Sequence, residues 1–343
     1  MSQHLQELIV VGTRQHHGVA GCMADGLSSK GHDVQFIELY PANWPTFTDR
    51  VVRRLVPNLT RSERNGNRDL RSAVKCSRAR HVLVTNGWEI SPDTIAECRE
   101  CLERRGGGIA CYLCDDPINP LHRRQQWLAA LREYSVVAST KSRVIPDLVA
   151  NGCRKVVYSR FGYHPPIHRR VDWRGMGFDE CDLAFAGNAD KDRLPVISAL
   201  VGGLPQLRHR IYGGGWSQSH LLRPHAHGPV VGIQYSCAMS AATVCPCLVR
   251  RANRDGHVMR SFELPAIGAF MLAERTDEHQ ARFEEGIHCE LWGSVDELIE
   301  KARWYCMHPG DARRIADQGH KLVTGEPNTY DARAIEVISA IPS

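Results

Sequence analysis

No stretch of this 343-residue chain is apolar for the roughly 18–20 residues that a membrane span requires. The opening MSQHLQELIVVG is too polar, and its apolar run too short, for an export signal. There is no short-period repeat and no low-complexity tract, which excludes solenoids and fibrous folds. Neither sign of charge dominates: Lys plus Arg number 43 and Asp plus Glu 38, a net charge of +5. That balance suits an acidic ligand such as a phosphate without implying nucleic acid. Cysteine, by contrast, is plentiful. Thirteen residues, an odd number, in a chain without an export signal read as reduced thiols, so a cytoplasmic location is expected.

What is present is an alternation of short apolar runs and helical patterns. ELIVVG (7–12) ends in glycine and is followed by a helical pattern over 18–31 and a strand-like DVQFIEL (33–39). The theme returns as strands at 81–87, 108–117, 135–140 and 155–162, with a helix over 91–106 opened by Ser91-Pro92. Residues 163–180 break it with prolines, glycines and charges, placing a linker at 166–180. A second series follows: strands at 181–188, 207–216, 269–274 and 289–294, then charged helices to 323 and a last helix over 329–341. The expected fold class is α/β, with two doubly wound Rossmann-like domains facing a cleft. The boundaries are 1–165, the linker, 181–325, and a C-terminal segment 326–343 whose helix returns to the first domain.

One stretch is chemically odd. In RDGHVMRSFELPAIGAFMLAERT (254–276), Arg260 and Glu263 stand at the start of a helix whose other residues look buried, just after the turn at Asp255-Gly256-His257. Helix N-termini attract anions. Which anion this helix start would hold, and what Glu263 is for, is the question the stretch raises. The competing reading is structural, with Asp255 capping the helix and Arg260–Glu263 as an i,i+3 surface pair.

The stretches DLAFAGN, YGGGW, NRDGHVMRSFELPAIGAFMLAERT, FEEGIHCELWGSVDELIEKARWYCMHPGDARRIADQGHKLV and TYDAR resemble the group 1 glycosyltransferases of the GT-B superfamily, in their CgeB-like, spore-maturation-protein branch. CDDP, STKS and VVYSRFGYHPPIHRR in the first half look similar to the same family. The resemblance implies that the second domain holds a nucleotide-diphosphate sugar, a UDP- or GDP-sugar, as co-substrate without a cofactor. It implies that the first domain receives an acceptor, whether glycan, protein, small molecule or nucleic acid. Glu263 would bind the ribose hydroxyls and Asp255, in place of the family's usual glutamate, would face the donor sugar. Gly187, and Gly214 within Gly213-Gly214-Gly215, would let backbone approach the donor, and Trp216 would stack on the base, the competing reading being that it is partly core. Asn188 occupies the family's usual arginine position, leaving Lys191, Arg193, Arg250 or Arg251 to supply that charge. His16 and His17, in the first strand-to-helix loop, are candidate general bases, with Asp115 and Asp116 placed to orient them. The alternative is that His17 only donates a hydrogen bond and Asp116 caps a turn.

No metal is expected. Cys98-x-x-Cys101 falls on a helix, Cys111-x-x-Cys114 on a strand whose residues three apart face opposite ways, and Asp115-Asp116 is adjacent rather than spaced. The arginine-rich segment 50–80 reads either as a solvated face or as a surface for an acidic partner, with few aromatics to favour single-stranded nucleic acid. A nucleotide-sugar epimerase or a non-catalytic nucleotide-sugar-binding protein remain open beside the transferase. Oligomeric state is not legible.

Overall fold

The computed structural model describes residues 7–15, 18–39, 61–119 and 125–342, with the backbone alone for 61–63. The chain divides into two compact units, one of residues up to 160 together with 329–343, the other of residues 161–328.

In the first unit the elements run β1 (Glu7–Gly12), α1 (Val19–Ser29), β2 (Asp33–Glu38), α2 (Arg61–Cys76), β3 (His81–Thr85), α3 (Pro92–Glu103), β4 (Gly108–Leu113), α4 (Gln125–Leu131), β5 (Val136–Ser139), α5 (Ile145–Ala150) and β6 (Val156–Tyr158). The sheet order is β2-β1-β3-β4-β5-β6 and every pairing is parallel. Parallel sheets are covered on both faces, so their strands read as continuous apolar runs. β4, GIACYL, is accordingly buried at all six positions. Ser91 starts α3 by accepting the Thr94 N–H at 3.3 Å, with Pro92 at the first helical position. The core joins Ile9, Val82, Ile109 and Val137 of the sheet to Leu70, Leu102 and Trp127 of the helices.

The second unit comprises β7 (Cys181–Ala186), α6 (Arg193–Gly203), β8 (His209–Tyr212), β9 (Ala226–His227), α7 (Ile233–Ser240), β10 (Ala242–Cys247), α8 (Arg260–Ile267), β11 (Met271–Glu274), α9 (Asp277–Arg282), β12 (Glu290–Trp292), α10 (Val295–Met307) and α11 (Pro309–Thr324). Its sheet order, β9-β8-β7-β10-β11-β12, is again parallel. This is the doubly wound order whose switch point lies between the first and fourth strands, here β7 and β10. Ser294 opens α10 by accepting the Glu297 N–H at 3.2 Å, while Glu297 reaches back to the Gly293 N–H at 2.7 Å.

The last helix, α12 (Tyr330–Ser339), belongs to the first unit. It packs along α1, and Asp331 pairs with Lys30. The segment 166–180, expected as a linker, lies inside the second unit. Ahead of it and within it, Phe161, Tyr163, His164, Ile167 and His168 are buried. Within 166–180 only Ile167 and His168 are buried, and Pro166, Gly175 and Gly177 are exposed.

Candidate functional site

In the second unit, the carboxyl ends of β7 and β10 meet at the switch point. β7 leaves the sheet through Gly187, whose φ is 154°. Its carbonyl accepts the Trp216 indole N–H at 2.7 Å, and its N–H donates to the Tyr212 carbonyl at 2.8 Å. Gly213, at φ 131°, passes so close that a Cβ there would sit 2.3 Å from the Gly187 carbonyl oxygen. Gly214 donates its N–H to the Asn188 side chain at 2.9 Å and accepts the Ala189 N–H at 2.9 Å. The two turns are thus laced together through glycine backbone. Trp216 is 0% exposed and meets Phe185 edge-on at 5.8 Å. It is core, the second of the two readings of this tryptophan, and its ring offers no face to a base.

Two guanidinium groups close on this turn. Arg193 begins α6 and is buried. It donates to the Asn188 carbonyl at 3.2 Å and lies 3.5 Å from Asp190. Burial, then the neighbouring Arg260 charge, lowers its pKa to about 10, so it remains a cation at neutral pH. Arg260 begins α8, with its guanidinium carbon 5.4 Å from the Phe185 ring centre. A Cβ on Gly187 would lie 2.9 Å from Arg260 Nη2 and 3.3 Å from Arg193 Nη1. The Nε atoms of both arginines are buried without a hydrogen-bond partner. Among the described residues no carboxylate pairs with Arg260. Like charges held together in a partly buried place are costly unless an anion joins them. Of the cations weighed from sequence, Arg193 is therefore the one at the glycine turn. Lys191 is exposed, Arg250 lies 3.9 Å from Asp190, and Arg251 points to Glu274 at 3.4 Å with its side chain 80% exposed.

Glu263, one turn into α8, is only 6% exposed. Burial raises its pKa to about 7, with Arg260 opposing the rise. This is no surface pair. His168 Nε2 lies 3.7 Å from Glu263 Oε1, and its Nδ1 accepts the His164 N–H at 2.9 Å, so Nε2 carries the proton. Tyr235 of α7 stands edge-on to His168 at 5.8 Å, close enough to Glu263 to influence it, yet its buried hydroxyl makes no bond of normal geometry. His168 and Tyr235 were missed in the sequence. One sits in the supposed linker, the other in a helix with no motif.

The loop before α8 is self-supporting. Asp255 accepts the Asn253 side-chain amide at 3.0 Å and the Arg250 N–H at 3.3 Å, closing 250–255 around Arg254 at φ 50°. It does not cap α8, whose start has no side-chain cap. His257 accepts the Phe161 N–H on Nε2 at 3.0 Å and meets Glu278 through Nδ1 at 2.5 Å. The Val258 N–H is taken by Ser261 Oγ at 3.0 Å, and Ser261 in turn meets His279 Nε2 at 2.7 Å. The Val258 N–H is therefore committed to the protein, and the positive character of the site comes chiefly from Arg193 and Arg260. One Asp-x-Asp spacing went unread in the sequence, Asp190-Lys191-Asp192. Asp190 accepts the Asp192 and Arg193 N–H groups at 3.0 and 2.9 Å in the turn before α6, and Asp192 accepts the Ala252 N–H at 3.2 Å. No cluster of three metal-ligating side chains occurs among the described residues.

In the first unit, His16 and His17 lie outside the described residues. Asp115 accepts the Asn86 side-chain amide at 3.0 Å. Asp116 is buried and accepts the Ile118 N–H at 2.9 Å, holding the 116–119 turn. In the arginine-rich segment, Arg71 and Lys75 of α2 both pair with Glu97, at 2.7 and 2.6 Å, and residues 50–60 lie outside the described residues.

Residues 193–339, less than half of the chain but spanning Arg193, Arg260 and Glu263, match the family described as glycosyl transferase-like. No curated protein matches the chain in sequence. Among solved structures, sucrose-phosphate synthase from Thermosynechococcus elongatus is 13% identical, with 96% of this chain and 97% of that one covered and a TM-score of 0.66. HepE from Anabaena, in complex with UDP and glucose, is 12% identical over 98% and 100% of the two chains, with a TM-score of 0.64. A putative UDP-N-acetylglucosamine 2-epimerase from Listeria monocytogenes is 11% identical over 98% and 96%, with a TM-score of 0.58. The fold is GT-B, built of two parallel-sheet Rossmann-like units, and the glycosyl transferase-like segment spans most of the second unit and α12. No helix among the described residues is long and apolar enough to cross a membrane.

Proposed function

We propose that the chain is a glycosyltransferase whose second unit binds a nucleotide-diphosphate sugar without a metal ion. The observation that carries this reading is the unpaired guanidinium of Arg260 closing with Arg193 on Gly187, one helical turn from the buried Glu263. Two planar cations at a glycine turn suit a diphosphate, which a metal would otherwise neutralise. A buried carboxylate beside them suits a diol such as ribose, since two hydroxyl donors offset its desolvation. The UDP bound in the Anabaena structure makes uracil the first base to try. The CgeB-like branch remains the narrower reading, on the residues that suggested it.

A thermal-shift series with UDP, GDP, CDP, TDP and ADP and their sugars, with and without EDTA, tests it. One nucleotide should raise the midpoint, EDTA should leave the shift intact, and Arg260→Ala should weaken binding about 10- to 100-fold. If no nucleotide shifts the protein, the donor reading is wrong. The Listeria neighbour supports a second reading, an epimerase. That enzyme would convert the nucleotide-sugar alone, with no acceptor, which chromatography of the donor would show.

A further inference from the structure

One buried polar group beside the second unit's site has no role so far. Tyr235 stands in the first turn of α7 and is buried. Its hydroxyl is closed off from solvent and makes no hydrogen bond of normal geometry. Burial, and then the charge of Glu263, pushes its pKa well above the ordinary phenol value, so it keeps its proton and can donate. A desolvated hydroxyl without a partner costs roughly 1–3 kcal/mol, and phenylalanine would fill the same space without that cost.

Glu263 has the complementary deficit. Its carboxyl is buried, and His168 Nε2 stays 3.7 Å from Oε1, beyond hydrogen-bond reach. Among the described residues, the groups facing it are Arg260 of its own helix, Tyr235 of α7 and His168 of the loop. Burial raises the Glu263 pKa, and Arg260 and then the Tyr235 hydroxyl draw it back down. The frame around the pair is fixed. Ser236, next along α7, donates its buried hydroxyl to the Ile167 carbonyl at 2.7 Å. The His168 ring, held by the His164 N–H, meets the Tyr235 ring edge-on at 5.8 Å. Helix α7 is thus tied to the loop that carries His168, and it packs on α8.

We infer that Tyr235 is a positioning residue for Glu263: its hydroxyl donates to one carboxylate oxygen and holds the remaining lone pairs toward a ligand diol. A carboxylate offers about four lone-pair sites, so Tyr235 takes one and leaves room for two adjacent hydroxyls. The identity of the diol as ribose rests on the nucleotide-sugar reading. The pairing of Tyr235 with Glu263 does not. A carboxylate left to swing loses its preference for two adjacent hydroxyls over one.

Tyr235→Phe keeps the ring and removes only the hydroxyl. In the free full-length chain, carbon-13-labelled glutamate carboxyls are followed by NMR, and the Glu263 signal is assigned by its loss in Glu263→Gln. Its titration midpoint should rise by about one pH unit in Tyr235→Phe. Calorimetry at about pH 8.5, above that midpoint, should show wild type preferring UDP to 2′-deoxy-UDP about tenfold. Tyr235→Phe should weaken UDP about three- to tenfold and 2′-deoxy-UDP less than about twofold. An unmoved Glu263 midpoint, an unchanged UDP affinity, or an equal loss for both nucleotides would overturn the inference, the last because a merely structural tyrosine acts on both alike. A midpoint that rises in a chain binding neither nucleotide supports the pairing and counts against the nucleotide-sugar reading.

Discussion

The two units share one construction and end it in opposite chemistry. In each, a parallel sheet reverses its winding beside a glycine-bearing turn. In the first, that point opens beside Val19, Ala20, Asn86, Trp88 and Cys114, with no cation among the described lining residues. In the second, it gathers two arginines and, a turn away, a buried glutamate. The sheet order decides only where a ligand can sit. The residues just past the strand ends decide which ligand, and they are short polar or charged insertions that the fold tolerates equally well.

The comparison is broken most severely by removing a glycine. Gly213→Ala places a Cβ 2.3 Å from a backbone oxygen at φ 131°. It should cost at least about 3 kcal/mol in urea unfolding and abolish the nucleotide-induced shift. An unchanged urea midpoint would mean that the two turns are not packed as described.

A pH experiment sharpens the comparison. Glu263 titrates near 7 in the folded chain instead of near 4.5. The unfolded chain therefore loses that proton first, and stability falls by roughly 3 kcal/mol as pH rises from 4.5 to 7. His279, whose pKa burial lowers to about 4, acts in the opposite sense. Its contribution is gained as pH rises from about 4 to 6.5 and lost on acidification. The two slopes overlap and largely cancel in the wild-type chain. Glu263→Gln should uncover a stability that climbs with pH up to about 6.5, read as the urea midpoint against pH. A profile identical to wild type would place Glu263 in water. The affinity for a nucleotide-sugar, whose diphosphate diester does not titrate in this range, should rise through pH 7 in wild type and stay level in Glu263→Gln.

The smallest effect is expected from Arg251→Ala. Its side chain is 80% exposed and turned to Glu274, so nucleotide affinity by calorimetry should change less than about twofold. A tenfold loss would move the anion site outward.

Much of this was legible because strands buried on both faces leave continuous apolar runs and helices open on Ser or Pro. Glu7–Gly12, Pro92–Glu103 and Cys181–Ala186 all fall within two or three residues of the segments expected. The stretch 254–276 was legible as odd because a cation and an anion stand in the first turn of an otherwise buried, mostly apolar helix. What local sequence could not convey was contact. His168 lies in the segment read as a linker, yet it meets Glu263, 95 residues further along the chain. Lys191 and Arg193 are equivalent on paper, and only the turn into α6 decides between them. Trp216 looked available to a ligand because nothing local shows that its indole N–H is bonded to Gly187.

The return of α12 to the first unit has a consequence for biogenesis. The second unit is one unbroken segment, residues 161–328, inserted within the other. On the ribosome it can close while the first unit still lacks the helix that buries Tyr330, Ala334 and Val337 along α1. The unit begun first is therefore completed last. During synthesis its uncovered α1 face is a transient hydrophobic surface whose protection rests on a helix that emerges after the whole second unit.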